Sequence, residues 1–433
     1  MSHRKRKWCL FAIGKVALIV VACVLTQTTR ALDDAGLTPK DRLEVFEKVW
    51  KEIDDNYYDP TFKGVNWQEV HKRYLPLVEA VKTDAEFYTL INKMAGELRD
   101  AHTRVLSPTM LANLEAQRRP SPGLRVEEVE GKPVITSVIA GSDVVLAGIE
   151  PGMIVLAIDD QPALEKIAQV RRMIGPSSSK QLDETRVYAT IFGGPAGTPL
   201  KLRLQRTDGS TFEPSVTRRF VATAPKLTTQ VLPSGYAYFT FDQFTAAIAK
   251  EVKEALKRLQ STPGLIIDVR DNNGGSAQAL YPLTASFYNS KILFLRTTTR
   301  TGKQLPDSPP LEIFLGKQGE QLYAGPVVIL VGPRSGSTAE LFAAGMQETK
   351  RASVIGSQSC GCAVGINKQR KLKGGGILEI SEVLWLTPSG RKIEGNGVTP
   401  DHVVIPTIDD LQKRRDPVLE AAEKLLRELS VTK

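Results

Sequence analysis

Five consecutive apolar residues, Val327–Val331, lead directly into the segment 332–340, GPRSGSTAE, which is followed by apolar residues at helical spacing. This pattern predicts a strand that turns into a helix, with Ser337 at the corner. At such a corner the hydroxyl stands clear of the backbone, and the first helical N–H groups, which lack partners, point toward any charge that develops beside it. The position suits a nucleophile, although serine is also a favoured N-cap and Ser337 could simply begin the helix.

The surrounding region alternates strands with helices. Residues 236–241 are predicted as a strand, 245–259 as an amphipathic helix and 264–269 as a buried strand that ends in the sequence RDNNGG. The last two residues of that sequence are Gly274 and Gly275. Glycines at the end of a buried strand let the backbone approach a substrate closely, and adjacent peptide N–H groups there can bind an oxyanion.

The positive net charge does not indicate nucleic-acid binding. Six basic residues precede the first acidic residue, Asp33, so that the formal charge of +9 falls to +3 without the N-terminal segment. No basic stripe interleaved with aromatic residues remains, and nucleic acid is therefore not an expected partner. The length of 433 residues and hydrophobic content of 42% are those of a globular protein of about two or three domains.

Residues 1–31 resemble an export signal, with a basic start, an apolar run over 16–25 and a small-residue exit at 29–31. The run is short for a membrane span, but an uncleaved anchor is an alternative, and VVAC at 20–23 resembles a bacterial lipoprotein box. The body of the protein is therefore expected in the periplasm or secreted. The membrane is a partner only through this segment.

Of the four cysteines, Cys9 and Cys23 fall in the export signal, which leaves Cys360 and Cys362 on either side of Gly361. This number excludes a disulfide scaffold. The pair is expected to be two small apolar side chains or a short-range disulfide, and a nucleophilic Cys362 is the weaker alternative. Two cysteines and scattered histidines do not make a zinc site, so neither a metal nor another cofactor is expected.

The first part of the exported chain has a helical pattern. Four apolar residues between positions 43 and 53 keep helical spacing, and a second helix begins with a capping box from Thr83 to Glu86. The segment ends at 98–103, LRDAHT, which contains His102.

The next part changes to short strands and resembles a PDZ domain. The sequences AGIEPGMI at 147–154 and AIDDQP at 157–162 carry this resemblance. Four residues stand where PDZ domains keep the loop and strand that accept an extended peptide: Gly123, Leu124, Arg125 and Val126. The resemblance implies an open sheet edge that binds peptide C-termini, and a plain β-rich spacer is the structural alternative.

Five motifs occur in an order that resembles the tail-specific or C-terminal processing peptidases, a family that includes the tricorn core protease. They are DAHT at 100–103, the PDZ-like segment, GLIIDVRDNNGG at 264–275, the Ser337 corner, and TPSGR at 387–391 leading to EGNGVTPD at 394–401. The resemblance implies a serine peptidase with a crotonase-like catalytic core. It also implies unfolded or flexible polypeptides as substrates, with C-terminal peptides held by the PDZ domain.

Two positions depart from the pattern of the processing proteases. Those proteases use a Ser-Lys dyad, but Cys362 replaces the lysine here and Ile366 replaces a following glutamine. Tricorn-like members instead have a Ser-His-Glu arrangement. This resemblance implies Ser337 as nucleophile, His102 as general base and Glu394 as the carboxylate that orients the imidazole.

The same resemblance implies an oxyanion hole made by the Thr338 N–H and by Gly274 or Gly275. Two assignments have structural alternatives. His102 follows a helix end and could be a C-terminal cap, and Glu394 could be an ordinary turn carboxylate. Ala101 also stands where tricorn relatives have a serine.

The sequence thus predicts an α+β multidomain protein with an N-terminal helical segment, a PDZ-like domain and a crotonase-like αβ core. The predicted ranges are 1–31 for the signal or anchor, 36–118 for the helical domain, 119–216 for the PDZ-like domain, 217–410 for the S41 peptidase core and 411–433 for a C-terminal helix.

Three functions compete. The first is a secreted or periplasmic serine endopeptidase. The second is a catalytically inactive adaptor that binds peptides with the same fold, which the loss of the dyad lysine at Cys362 would explain. The third is a ligand carrier or crotonase-like enzyme. The absence of a nucleotide or CoA motif argues against this third function.

Overall fold

This computed structural model describes residues 36–116, 118–222 and 224–431, and the predicted export signal lies outside them. The helices are α1 Pro39–Asn56, α2 Trp67–Ala80, α3 Asp84–Gly96, α4 Pro108–Glu115, α5 Asp143–Leu146, α6 Ala163–Ile174, α7 Lys180–Thr190, α8 Ala246–Leu259, α9 Ala277–Ala285, α10 Thr338–Glu348, α11 Ile408–Gln412 and α12 Pro417–Val431. Across the described ranges, no helix has the length and apolar character needed to cross a membrane.

The strands lie between these helices in the sequence and form several sheets. They are β1 Arg104–Leu106, β2 Arg118–Ser121, β3 Leu124–Val129, β4 Lys132–Val138, β5 Ile154–Ile158, β6 Gln161–Pro162, β7 Pro199–Gln205, β8 Thr211–Phe212, β9 Ser215–Thr217, β10 Arg219–Ala222, β11 Leu227–Val231, β12 Ala237–Phe241, β13 Leu265–Asp268, β14 Ile292–Thr299, β15 Glu312–Leu315, β16 Val327–Val331, β17 Ser353–Gly356, β18 Val364–Ile366, β19 Arg370–Lys371, β20 Ile377–Glu379, β21 Ser381–Leu386 and β22 His402–Val403. The result is a mixed α/β fold.

Helix α3 begins where the sequence predicts, and the unpredicted helix α2 lies between it and α1. The capping box at the start of α3 is confirmed, since Glu86 N donates to Thr83 Oγ1 and Thr83 N donates to a Glu86 carboxylate oxygen. Phe46 and Ile53 of α1 share a buried cluster with Leu378, which lies on β20. Strand β1 pairs with β20 as well. The helical segment is therefore packed directly on the later part of the chain.

The second region forms its own sheet around a separate apolar cluster. Its strand order is β3-β4-β5-β7-β8, so that β3 pairs on one side only and is an edge strand. Helix α7 contacts β3 beyond that edge. Leu124 and Val126 occupy alternate positions of β3 and lie on its buried face. The backbone N–H and C=O groups on the unpaired edge of β3 can therefore face a groove.

A six-stranded sheet with the order β11-β12-β13-β16-β17-β22 forms the third region, and the pairings from β12 onward are parallel. The strands predicted at 236–241 and 264–269 and the helix predicted at 245–259 are confirmed as β12, β13 and α8. The predicted C-terminal helix is confirmed as α12, which packs Val418 and Leu426 against the sheet.

The topology of this sheet positions the candidate site. Strands β13 and β16 are parallel neighbours, with Ile267 opposite Ile329. Their carboxyl ends therefore lie side by side, and so do the loops that follow them. A hydrogen bond of 2.9 Å from Gly336 N to Asn272 O joins the two loops.

Candidate active site

Ser337 lies between β16 and α10, in a backbone conformation that L-residues rarely adopt, with φ at 51° and ψ at −118°. Other helix caps in the chain differ. Ser107, Ser179 and Thr245 have extended backbones with negative φ, and each side chain accepts a helical N–H. A left-handed φ on a residue other than glycine costs roughly 1–3 kcal/mol and is found where the surroundings serve a function. Ser337 thus precedes α10 with its N–H bound by Glu340, in a backbone conformation that differs from that of these three caps.

The carboxylate of Glu340 accepts hydrogen bonds from the turn that contains Ser337. Its side chain is fully buried. Oε2 accepts the N–H groups of Ser337 at 3.1 Å and Cys362 at 2.9 Å. Oε1 accepts from Ser359 Oγ and Gly361 N, both at 2.6 Å. Burial raises the pKa of Glu340 to about 7, against the effect of these hydrogen bonds. Glu340 therefore couples the nucleophile to the segment 359–362.

The glycines after β13 lie against the nucleophile. A Cβ on Gly274 would lie 2.7 Å from Ser337 Cβ and 2.8 Å from Thr338 N, so no larger residue has room there. The Gly274 N–H already donates to Asn272 Oδ1 at 2.8 Å. Thr338 Oγ1 donates to Gly275 O at 2.7 Å. Since the Gly274 N–H is occupied, Gly275 is the better of the two predicted oxyanion donors.

Cys360 and Cys362 are joined by a disulfide, and both are buried. A Cβ on Gly336 would lie 3.1 Å from Cys362 Sγ, which places the disulfide against the nucleophile corner. Within the residues that the structure describes, one cluster could bring ligand atoms to a metal: Glu340, Cys360 and Cys362. Disulfide sulfurs lack the thiolate charge that a metal needs, so this cluster does not form a metal site in the oxidised protein.

Glu394 is buried rather than an exposed turn carboxylate. Its Oε1 accepts from Lys63 Nζ at 3.2 Å and from Ser178 Oγ at 2.5 Å, and its Oε2 accepts from Ala363 N at 3.0 Å. Burial raises the pKa of Glu394, and Lys63 opposes that shift most strongly. Three separated segments of the chain therefore converge on this one carboxylate.

His102 lies in the loop before β1, well after α3 ends at Gly96, so it is not the C-terminal cap of that helix. Its backbone N–H donates to Asp100 Oδ1 at 2.8 Å. Burial lowers the pKa of the imidazole to about 4, which makes the ring neutral at pH 7, and the charge of Asp100 opposes that shift. The Nδ1 atom is buried without a hydrogen-bond partner among the described residues, and so is Asp100 Oδ2.

A chain of hydrogen bonds connects Ser337 with Glu394, but no described contact brings the His102 ring to either of them, so a triad is not closed. Hydrogen bonds connect Ser337 to Glu340, Glu340 to the 361–362 backbone, and the adjoining Ala363 N to Glu394. Asp100 acts on the pKa of both Glu394 and His102. Among the described hydrogen bonds, however, none joins the His102 ring to Ser337 or to Glu394.

Several site residues could not be assigned from the sequence. Glu340 had one signal, its position three residues after a serine at a helix start. Lys63 and Ser178 had none, because their contacts with Glu394 span 331 and 216 positions of the chain. Local patterns do not report pairs of that kind.

Three of the four residues predicted to bind peptide, Leu124, Arg125 and Val126, line a groove of about 320 Å³ between β3 and α7, whereas Gly123 does not line it. Its apolar lining includes Leu124, Val126, Tyr188 and Phe192. The N-terminal end of α7 leads to Ser179, whose Oγ donates to Cys360 O. One end of the groove wall therefore reaches the candidate site.

Two arginines connect the groove to the loops of the site. Arg125 on β3 contacts the carboxylate of Asp271 at 2.5 Å, and Arg334 lies 3.3 Å from the same carboxylate. Asp271 precedes the Asn-Asn-Gly-Gly turn, and Arg334 precedes Ser337 by three positions. Pro333 and Arg334 also line the groove. An occupant of the groove would thus contact the nucleophile loop.

Comparison with known proteins gives consistent results. Residues 235–404 match the model of peptidase family S41, and residues 38–96 match that of the tricorn protease C1 domain. The chain is 27% identical over 416 residues to a carboxyl-terminal-processing protease of Synechocystis, with 93% of this chain and 89% of that protein covered.

Two solved structures have a similar fold. Mature CPAF superimposes with a TM-score of 0.69 at 14% identity, over 91% of this chain and 98% of that one. A photosystem II D1 C-terminal processing protease superimposes with a TM-score of 0.56 at 21% identity, over 89% and 97%. At these identities the likeness concerns the fold alone.

Proposed function

The chain belongs to peptidase family S41, and from this premise we propose that it is a serine endopeptidase that cleaves unstructured polypeptides near their C-termini. The observation that carries the proposal is the left-handed backbone of Ser337 at a strand-to-helix corner. Such a corner exposes a nucleophile beside unpaired N–H groups. The crotonase-like core and the PDZ-like groove are part of this proposal.

The proposed chemistry proceeds through an acyl-enzyme. Ser337 Oγ attacks the scissile carbonyl while His102 takes the hydroxyl proton, and the N–H groups of Thr338 and Gly275 stabilise the oxyanion. His102 then gives the proton to the leaving amine, and a water activated by the same ring releases the acyl group. Glu394 accepts the second imidazole N–H and stabilises the imidazolium.

The proposed active form differs from the observed one in one respect. Among the described residues His102 Nδ1 has no acceptor, whereas Glu394 Oε2 accepts the Ala363 N–H alone and retains a lone pair. Catalytic hydrogen bonds often tighten only when substrate is bound. We infer that substrate closes the gap between this donor and this acceptor, and between the ring and Ser337.

The groove supplies the preference for C-termini. Strand β3 offers an open edge to an added strand, and the loop containing Gly123 stands where a terminal carboxylate would be received. Apolar lining residues favour apolar side chains at the end of the substrate. The disulfide and the N-terminal signal support an exported protein in an oxidising compartment.

A hydrolysis assay tests the proposal. An unstructured polypeptide ending in apolar residues is incubated with the protein, in free-acid and C-terminally amidated forms, and the fragments are identified by mass spectrometry. We expect fragments from both, with kcat/KM lower for the amide by about tenfold, because one hydrogen bond to a charged group is lost. If neither form yields fragments, the peptidase proposal is contradicted.

The inactive adaptor is the second candidate, and one observation favours it: among the described hydrogen bonds, none joins the ring of His102 to Ser337 or to Glu394. An adaptor would bind the free-acid peptide in the groove but release it intact. Equilibrium binding measured beside the hydrolysis assay distinguishes the two functions. Binding without fragments identifies the adaptor.

A groove variant separates peptide binding from chemistry. Ala189→Trp places a bulky ring in the groove from an exposed position on α7. We expect the Kd for a free-acid C-terminal peptide to rise by about tenfold or more, because the ring occupies space that the peptide needs. Arg186→Trp, also exposed on α7 but not lining the groove, is the matched control. Equal Kd values for the two variants would show that peptide binds elsewhere.

A further inference from the structure

Lys63 occupies an unusual turn between the N-terminal helices. Phe62, Lys63 and Gly64 all have left-handed backbones, with φ at 52°, 53° and 84°. Two of these residues carry side chains that disfavour such a φ. Strained conformations of this kind persist only where the surroundings fix them, and they cluster at functional sites. From this turn the Phe62 ring packs on the N-terminal helices, and the Lys63 ammonium extends toward Glu394.

The ammonium reaches the candidate site. Lys63 Nζ lies 3.2 Å from Glu394 Oε1 and donates to Arg99 O at 2.9 Å. The Glu394 side chain has no exposed surface, and that of Lys63 is 23% exposed. A buried carboxylate is costly without a paired cation, since burial disfavours the charged form. In the part of the chain that the structure describes, Lys63 is the cation in salt-bridge contact with Glu394.

We propose that Lys63 is a positioning residue for the proposed peptidase site, which keeps Glu394 ionised and turned so that Oε2 can receive the imidazole N–H of His102. The ammonium and Ser178 Oγ both bind Oε1, so they fix the rotation of the carboxylate. Within the described part of the chain, Oε2 accepts one hydrogen bond, from Ala363 N. The N-terminal segment thus supplies an ammonium to the site, although Cys362 occupies the position of the dyad lysine.

Besides Lys63, other groups around Glu394 affect whether its carboxyl group is ionised. Asp100 is a second carboxylate nearby and raises the pKa of Glu394, whereas Ser178 lowers it. Burial raises the pKa of Tyr57 and Tyr58, which follow the end of α1, and the charge of Glu394 raises it further, so both side chains stay neutral. Without the ammonium, Asp100 and burial would both favour protonation of Glu394. A protonated Glu394 cannot stabilise an imidazolium.

The test uses Lys63→Met, which keeps the length of the side chain and removes its charge, together with Lys63→Arg. This inference rests on the proposed function, so two readouts are needed. The first is the pH dependence of kcat/KM on the unstructured substrate. We expect the acidic limb to move upward by about one pH unit in Lys63→Met, a tenfold loss at pH values on that limb. Lys63→Arg should restore it.

The second readout does not require activity. Unfolding by urea is measured at pH 4 and pH 8 for wild type, Lys63→Met, Glu394→Gln and the double variant. We expect Lys63→Met to destabilise the fold more at pH 8, where Glu394 is ionised, than at pH 4, and this difference to vanish in the Glu394→Gln background. Lys48→Met is the matched control, since Lys48 Nζ donates only to a backbone carbonyl among the described contacts, Lys371 O.

The outcomes separate the inference from the proposed function. An equal effect of Lys63→Met at both pH values, or an effect that persists unchanged in Glu394→Gln, overturns the role of Lys63 whether or not the protein is active. An active wild type whose acidic limb is unmoved by Lys63→Met overturns it as well. A protein that cleaves nothing but shows the pH-dependent coupling contradicts the proposed function and leaves the Lys63–Glu394 pair as the support of a buried carboxylate.

Discussion

Replacing Ser337 by alanine is expected to lower kcat on an unstructured polypeptide by roughly 10³- to 10⁶-fold, the range found when a nucleophile that acts with a base is removed. The hydroxyl is the only group of Ser337 that the substitution deletes, and the backbone N–H that binds Glu340 stays in place. Steady-state hydrolysis and a melting curve of the same preparation measure the effect. The melting temperature should change little.

A neighbouring serine provides the control. Ser335 is buried in the same loop, where its Oγ donates to Val269 O at 2.7 Å and accepts from Gly332 N at 3.0 Å. Ser335→Ala should lower the free energy of unfolding by about 1–3 kcal/mol, because two buried partners lose their hydrogen bonds. Activity should fall much less than in Ser337→Ala. If the two variants lose activity equally, Ser337 has no special chemical role.

Ser337→Gly should separate strain from function. Glycine adopts a positive φ without steric cost, whereas serine at φ 51° is strained. We therefore expect Ser337→Gly to be inactive but more stable than Ser337→Ala by about 1 kcal/mol, after the extra chain entropy of glycine is included. Equal or lower stability of the glycine variant would contradict the strained backbone at the nucleophile.

Replacing Glu340 by alanine is expected to have the largest effect on stability. Four donors point at its carboxylate: the N–H groups of Ser337, Gly361 and Cys362, and the hydroxyl of Ser359. Alanine leaves them unpaired in a buried space, which should cost on the order of 3–5 kcal/mol of the free energy of unfolding. Denaturant unfolding measures the loss, and a Glu340→Ala protein as stable as wild type would show that these contacts contribute nothing.

The pH dependence of Glu340 has a definite sign. The pKa of this carboxyl is raised to about 7 in the folded protein, above the 4.5 of a free glutamate. The folded state therefore holds a proton that the unfolded chain releases, and stability is lost as pH rises from 4.5 through 7. Relative to Glu340→Gln, whose side chain does not titrate, wild type should lose about 3 kcal/mol over this interval. A pH-independent difference between them would contradict the raised pKa.

Much of the fold follows from local sequence patterns. The apolar run Val327–Val331 forms β16, and the capping box at Thr83 begins α3, because burial and backbone hydrogen bonding act over a few residues. Helix α2 is not among the elements predicted from the sequence. Its buried residues Trp67, Val70, Tyr74 and Val78 keep helical spacing, but Pro76 inside the helix disfavours that prediction. Its packing against α1 compensates for that proline.

The candidate site was predictable only in part. Ser337, His102 and Glu394 were found because the motifs around them resemble those of a known family, and their roles remain proposals. The backbone strain at Ser337, the occupied N–H of Gly274 and the contacts of Glu394 depend on tertiary packing. Residues that meet across more than 200 positions, such as Ser178 and Glu394, leave no local trace in the sequence.

The most direct measurement is covalent labelling of the nucleophile with a fluorophosphonate probe, followed by mass spectrometry of the labelled peptide. We expect label on Ser337, none in Ser337→Ala, and a labelling rate at least about 100-fold lower in His102→Ala, since general-base catalysis contributes that much or more. Label on another residue, or an equal rate in folded His102→Ala, would contradict proton transfer from Ser337 to His102.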